Sequence, residues 1–453
     1  MKRRLLVILG FILVAIVGLV LARRPAPPIN VILITVDTLR ADHLGAYGYA
    51  RQTSPNFDAF AKESVLFKNT YSQSSETNPS LSSLMTSALP METRVLSNRY
   101  KVPDGAPTLA RILGEHGYRT GAFVSNFSLH RGSGFEQGFE MYDDQMDDWS
   151  RTNWEGMERL APKTTAAALK WLSAHTQEKV FLWVHYMDPH YPYIPPAPYN
   201  SMFVGQPLGT DKWLPFNKED TAVGGLVPSA QLGDHHELQW YMAQYDGEIR
   251  YFDESLGTFL QSLRAQGLMD KSLVIIGGDH GEGMGEHDYY FAHHEFLYQG
   301  LIHVPLLIRF PDKRHAGEII AYPVANMDIL PTILDTLQIA LPKTVRGRHL
   351  LSADARDIYA VSFYRGVKST LMSEGSKLIE NADHIELYDI AHDPDEQTNL
   401  AASPSKPNSE KIETLKARLD DLNTDDRLVL GSPILWNVNA DMLRKMKALG
   451  YVQ

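Results

Sequence analysis

Asn30-Val31-Ile32-Leu33-Ile34-Thr35-Val36-Asp37-Thr38-Leu39-Arg40-Ala41-Asp42-His43 is the stretch that decides the fold. Its first half is apolar and rich in β-branched residues, shows no helical spacing, and stops abruptly at an acid. That pattern predicts a buried parallel strand that delivers Asp37 at its carboxyl end. In open α/β sheets ligand chemistry gathers at the carboxyl ends of strands, so Asp37 stands where a metal or substrate would sit. The plainer alternative is that Asp37 caps a following helix.

A second stretch repeats the pattern. Leu273-Val274-Ile275-Ile276-Gly277-Gly278 runs into Asp279-His280, with Gly281, Gly283 and Gly285 close behind. Glycines let backbone approach a ligand closely, and Asp with His is a hard-to-borderline ligand pair. Two such strand ends predict a metal site. Between them lies Thr77-Asn78-Pro79-Ser80-Leu81, where Pro79 fits the first turn of a helix. Free backbone N–H groups at that helix start are expected to receive an anion, with a plain threonine N-cap as the alternative.

Composition sets the frame. At 453 residues and 44% hydrophobic content the chain buries one large core, or a core plus a smaller lobe. A net charge of −11 without dense Lys/Arg runs argues against a nucleic-acid surface. There is no cysteine, so disulfides, thiolate metal sites and cysteine nucleophiles are excluded, and a metal must be held by Asp, Glu, His or a hydroxyl. Lys2-Arg3-Arg4 precede an apolar run from Leu5 to Ala22, roughly 27 Å long as a helix, and Arg23-Arg24 follow it. This predicts an uncleaved membrane signal-anchor over residues 1–24 with the catalytic part outside the cytoplasm, periplasmic or on the cell surface. Pro25-Ala26-Pro27-Pro28 reads as a stiff linker.

The remaining pattern predicts a helix from Phe57 to Phe67 leading to an edge segment, helices over 108–116 and 161–174, and strands over 120–126, 180–186 and 304–310. A long polar insertion from 192 to about 235 is a place to build substrate selection. Tyr241 to Leu263 is an amphipathic helix with Ile249, Phe252, Leu256, Phe259, Leu260 and Leu263 on one face and Glu248, Arg250 and Glu254 solvated. Beyond about residue 340, short segments at hairpin spacing predict a small antiparallel sheet. A polar linker over 403–411 and a final helix with Leu443, Met446 and Leu449 close the chain. The predicted division is an anchor (1–24), a main domain (25–340), an antiparallel subdomain (341–402) and a linker with terminal helix (403–453).

With these pieces in view the chain resembles the sulfatase family of the alkaline phosphatase superfamily, from about Asn30 to Leu400. The matching residues are Val36-Asp37-Thr38-Leu39-Arg40-Ala41-Asp42-His43-Leu44, Thr53-Ser54-Pro55-Asn56, the Thr77 segment, Asp188-Pro189-His190, Gly278-Asp279-His280-Gly281-Glu282 and Val304-Pro305-Leu306-Leu307-Ile308. Glu386-Leu387-Tyr388-Asp389-Ile390, Asp393-Pro394-Asp395-Glu396 and Asn399-Leu400 look like the family's C-terminal subdomain. The resemblance implies an alkaline-phosphatase-like α/β fold: a mixed, mostly parallel sheet sandwiched by helices, plus a small C-terminal antiparallel sheet. It implies that Asp37, Asp279 and His280 hold one divalent metal ion (Ca, Mg, Mn or Zn), that Thr77 stands at the nucleophile position, and that His190 binds the substrate anion. His294, four residues before Tyr298, falls where many sulfatases carry a lysine.

The departures from the family are informative. Family sulfatases form formylglycine from Cys or Ser in a Cys/Ser-x-Pro-Ser-Arg segment, and threonine cannot yield it, so no formylglycine is expected here. Leu81 replaces the arginine, Thr38 replaces a second ligand acid, and Ser125 and Asn126 stand near the place of a Lys-x-His pair. A threonine hydroxyl is a weak nucleophile that a divalent cation can activate. In this the chain looks like lipoteichoic acid synthases and phosphoethanolamine transferases, although those have a multi-helix membrane domain. The expected function is a metal-dependent hydrolase of sulfate or phosphate esters acting through Thr77. The alternatives are a phosphotransferase on lipid or glycan head groups and a non-catalytic binding protein of sulfatase shape. Among the other candidates, Arg40 and Asp42 read as a pair, His303 as structural, and His185 as open between site and core. His287 and His293 line the cleft or are solvated, and Glu282 stands behind the ligands.

Overall fold

The computed structural model describes residues 29–146, 158–219, 221–354, 356–403, 405–424 and 429–436. The predicted anchor, the Pro25–Pro28 linker and the predicted final helix lie outside them. Among the described residues no helix is long and apolar enough to cross a membrane.

The strands of the main sheet are β1 (Asn30–Val36), β2 (Val65–Tyr71), β3 (Arg119–Val124), β4 (Met141–Asp143), β5 (Val180–Tyr186), β6 (Ser272–Gly278), β7 (His303–Arg309), and the two-residue β8 (Ile319–Ile320) and β9 (Val324–Ala325). They lie in the order β4-β3-β5-β1-β6-β7-β2-β8, with β9 also on β2. From β4 to β6 every pairing is parallel, and β7 runs antiparallel to both β6 and β2.

β1 is central, and all seven of its residues are buried. Alternate side chains feed two cores: Ile32, Ile34 and Val36 one face, Val31 and Leu33 the other. A strand covered on both faces has no reason to alternate polar residues, which is why its sequence is a continuous apolar run. Among the helices are α1 (Pro55–Ala61), α2 (Thr77–Thr86), α3 (Leu109–Glu115), α4 (Ala161–Ala174), α5 (Leu238–Ala265), α6 (Ile329–Thr336) and α7 (Lys406–Thr424). On one face α5 packs against α1 and α4; on the other α2 packs against α3 and α6. A separate four-stranded antiparallel sheet follows: β10 (Ile358–Ser362), β11 (Lys368–Ser373), β12 (Ser376–Glu380) and β13 (Ile385–Asp389).

Four expectations need correction. The helix expected over 57–67 stops at Ala61, where Ser64 N donates to Ala61 O (3.1 Å), and the β-prone Val65-Leu66-Phe67 begins β2. β2 is not an edge, since β7 lies on one side and β8 and β9 on the other. The linker expected over 403–411 is already helical from Lys406, because Leu415 and Leu419 of α7 bury against the small sheet. Glu248 is buried rather than solvated, as are Asp246 and Asp253 on the same helix. Asp246 is matched by His43, Tyr49 and Arg51, and Asp253 by the backbone N–H groups of Asn56 and Phe57.

Candidate active site

The site grows out of the ends of β1 and β6. Asp37 N donates to Tyr186 O (2.9 Å) and Asp279 N donates to Val36 O (3.1 Å), so the ladder carries both acids out at one level. Thr38, a β-branched residue at φ +53°, then turns the chain sharply, which is strain of the kind that active sites hold. The turn lets Thr38 N donate to Asp279 Oδ1 (3.2 Å), and His280 N donates to the same oxygen (2.7 Å). Gly281 follows because a Cβ there would lie 2.1 Å from Gly300 O.

Three acceptor atoms are left facing one another. Asp37 Oδ1 and Asp279 Oδ2 are buried and have no hydrogen-bond partner. His280 Nδ1 donates to Gly281 O (3.0 Å), so Nε2 presents a lone pair, 3.5 Å from Asp37 Oδ1 and 3.8 Å from Asp279 Oδ2. Burial pushes the Asp37 carboxyl up, but His190, His185 and His280 outweigh it and hold Asp37 at about 2. Burial and the Asp37 charge drive Asp279 well above the usual carboxylate range. The pair is short of positive charge, and its two oxygens and one imidazole nitrogen lie within 4.8 Å of one another. This donor set fits a divalent cation.

Thr77 Oγ1 stands 3.3 Å from His280 Nε2 and is fully buried. Thr77 is the first residue of α2, and Ser80 Oγ fastens that helix to the end of β6 through Asp279 O (2.6 Å). The free N–H groups expected at this helix start are not found at Asn78 and Pro79. Asn78 N donates to Asn98 Oδ1 (2.8 Å), and Pro79 has none.

The structure also gathers imidazoles. His190 donates from Nδ1 to Tyr191 O (2.6 Å), and its ring centre lies 5.0 Å from that of His293. His293 in turn lies 4.5 Å from His280 and 3.9 Å from His294. Burial holds His190, His280 and His293 below the usual imidazole range, and His294 at about 3. Glu282 Oε1 is 3.2 Å from His293 Nδ1, and Tyr193 OH donates to Glu282 Oε2 (2.8 Å). His294, at φ +92°, is tied through N–H to Ser75 O (3.2 Å) and through its carbonyl to Ser362 Oγ of the small sheet. A cavity of about 20 Å³ against His293 and His294 is lined in part by Ala222, Val227 and Ser229 of the long insertion.

All six expected site residues therefore converge. Arg40 pairs with Asp42 (2.7 Å) and also with Glu286 (2.7 Å). Four further residues join it: Asn126, for which no site role is expected, and His185, His293 and Glu282, whose roles the sequence leaves open or behind the ligands. Asn126 Nδ2 donates to Asp37 Oδ2, His185 Nε2 lies 3.4 Å from the same oxygen, and His293 and Glu282 form the buried contact just described. The doubled His293-His294 was the available signal for His293. No local signal exists for Asn126 or His185, which reach Asp37 through strand pairing.

Comparison with known proteins supplies the family context. The model of the family described as Sulfatase matches residues 29–339, and that described as N-sulphoglucosamine sulphohydrolase, C-terminal, matches residues 285–425. An ulvan-active sulfatase of Formosa agariphila is 26% identical over 348 residues, covering 72% of this chain and 65% of that protein. The multifunctional alkaline phosphatase superfamily protein PehA of Trinickia caryophylli is 24% identical over 475 residues, covering 83% of this chain and 92% of PehA. The solved phosphonate monoester hydrolase of Silicibacter pomeroyi shares the fold, with a TM-score of 0.71 at 21% identity over 88% of this chain and 96% of that one.

Proposed function

The chain belongs to the sulfatase family, and on that premise we propose that it is a metal-dependent hydrolase of sulfate or phosphate-type esters with Thr77 Oγ1 as nucleophile. The observation that carries this is the placing of Thr77 Oγ1 beside His280 Nε2, against the two unpartnered oxygens of Asp37 and Asp279. Asp37, Asp279 and His280 would hold a divalent ion, which would supply positive charge that eases loss of the Thr77 proton.

Thr77 Oγ1 attacks the sulfur or phosphorus, the bond to the ester oxygen breaks, and the alcohol leaves carrying the threonine proton. Water then cleaves the Thr77 ester, restoring the hydroxyl and releasing the acid. His190 and His294, gathered with His293 beside His280, hold the ester oxygens. Asp37 carries negative charge, Asp279 would join it once a cation is held, and burial keeps His190 and His294 toward their neutral forms. This favours a singly charged transferring group, such as a sulfate monoester, phosphate diester or phosphonate monoester, over a doubly charged phosphate monoester.

The ulvan-active relative supports a glycan ester as substrate, with the insertion over the histidines as the selecting element. Threonine in place of a modifiable residue supports a second reading, in which a glycan or lipid alcohol replaces water in the second step. The basic-flanked apolar run of residues 2–24 supports a membrane-anchored, extracytoplasmic enzyme.

The test is turnover of aryl sulfate, phosphate diester, phosphonate monoester and phosphate monoester by the chain loaded with Mn, Ca, Mg or Zn, with Thr77→Ala alongside. Turnover that disappears in Thr77→Ala is expected. Metal-free protein with no turnover of any ester would favour a binding protein instead.

A further inference from the structure

On the face of β1 and β5 that carries the second core, the side chains change character toward the carboxyl ends. Val31, Leu33 and Thr35 lead to Asp37 on one strand, and Phe181, Trp183 and His185 lie beside them on the other. The parallel register places Leu33 against Trp183 and Thr35 against His185. Thr35, Trp183 and His185 are all buried.

The first of their hydrogen bonds has a direction fixed by chemistry, and the surroundings of His185 orient the second. An indole nitrogen can only donate, and Trp183 Nε1 donates to Thr35 Oγ1 (2.9 Å). The Thr35 hydroxyl keeps a second lone pair, but its own hydrogen finds an acceptor in His185 Nδ1, 2.8 Å away, and the opposite tautomer would set the Nε2 lone pair against the Asp37 carboxylate. His185 Nδ1 is then an acceptor, and in the neutral ring the proton sits on Nε2. That nitrogen faces Asp37 Oδ2 at 3.4 Å, the oxygen that also accepts from Asn126 Nδ2. Asp37 Oδ1 is left with no donor.

We propose that Trp183, Thr35 and His185 form a one-way hydrogen-bond relay that locks His185 as the Nε2–H tautomer against Asp37 Oδ2, so that Asp37 offers Oδ1 alone to a divalent cation. Trp183, Thr35 and His185 are positioning residues: they act through Asp37 and touch neither Thr77 nor the ester. The cation half of this inference rests on the metal-dependent reading above, whereas the tautomer half stands on the strand register and these hydrogen bonds. Outer partners of this kind alter metal affinity by roughly 10- to 100-fold when removed.

Two measurements on the full chain test it. The first is the ring ¹⁵N spectrum of histidine-labelled, metal-free protein, with His185 assigned by its loss in His185→Gln. The expected result is the Nε2–H tautomer in the parent and a shift away from it in Thr35→Val. The second is calorimetric titration with Mn²⁺, in which Thr35→Val and Trp183→Phe bind about 10- to 100-fold more weakly and Thr35→Ser, which keeps the hydroxyl, stays near the parent. An Nδ1–H tautomer in the parent overturns the relay, and so does parental Mn²⁺ affinity in a folded Thr35→Val. A parent that binds no Mn²⁺, Mg²⁺ or Ca²⁺ overturns the cation half, while the tautomer still decides the relay.

Discussion

The two sheets of this molecule both bury carboxylates, and they treat them in opposite ways. In the small sheet Glu386 accepts from Tyr298 OH (3.1 Å), Asn381 Nδ2 (2.8 Å) and Tyr388 OH (2.5 Å). Glu396 pairs with the buried Lys377 (2.6 Å) and accepts from Gln299 N (2.7 Å). At the end of the large sheet Asp37 and Asp279 are equally buried, yet each turns one oxygen toward the other's side of a gap where no donor stands. Burying charge is costly unless it is paired, so the first arrangement is structural, and the second makes sense only with a cation and a ligand. The same segment meets both, since Tyr298 and Gln299 are held by the small sheet a few residues after His293 and His294.

Substitutions sharpen this contrast. The largest effect belongs to Thr77→Ala, which is expected to lower kcat by about a thousandfold or more while the thermal transition stays near the parent's, because a nucleophile is irreplaceable and a surrendered hydroxyl is not. Steady-state kinetics beside circular dichroism checks both halves. Next, Lys377→Met leaves Glu396 buried without its cation and is expected to cost about 3–5 kcal/mol in urea unfolding, with kcat of the folded fraction retained. Adding Glu396→Gln to it recovers most of that loss, which a merely crowded site would not permit.

A smaller effect is expected from the metal itself. Mn²⁺ at a hundredfold excess over its Kd raises stability by about 2.7 kcal/mol in the parent and by nothing measurable in Asp37→Asn, as followed by thermal shift. Smallest in its effect on stability is Asp279→Asn, which replaces a carboxyl that burial and Asp37 keep from ionising, and so stabilises the metal-free chain by about 0.5–2 kcal/mol while abolishing activity. A destabilised, still active Asp279→Asn would break the contrast, because it would make Asp279 a structural acid like Glu386.

What could be read from the sequence follows from the range of the interactions involved. Asp37, Asp279 and His280 were legible because a buried strand that ends in an acid shows in neighbouring residues alone. His185 was left open, since its bond to Thr35 joins residues 150 apart and depends on which strands are neighbours. Asn126 was noted only as something other than the expected Lys-x-His pair, yet it donates to Asp37. Glu248 reads as a solvated charge on a helix with one apolar face, and packing of α5 from more than one side buries it. The start of α7 looked like a linker because only Leu415 and Leu419, beyond the polar stretch, carry its reason to fold.

The most direct test of Thr77 as nucleophile is rapid acid quenching of the metal-loaded chain during turnover of a sulfate ester and a phosphonate monoester, followed by peptide mapping. The transferred group is predicted on Thr77 and absent from Thr77→Ala. Turnover that proceeds with Thr77 unmodified, or with the group on His190 or His294, would contradict it.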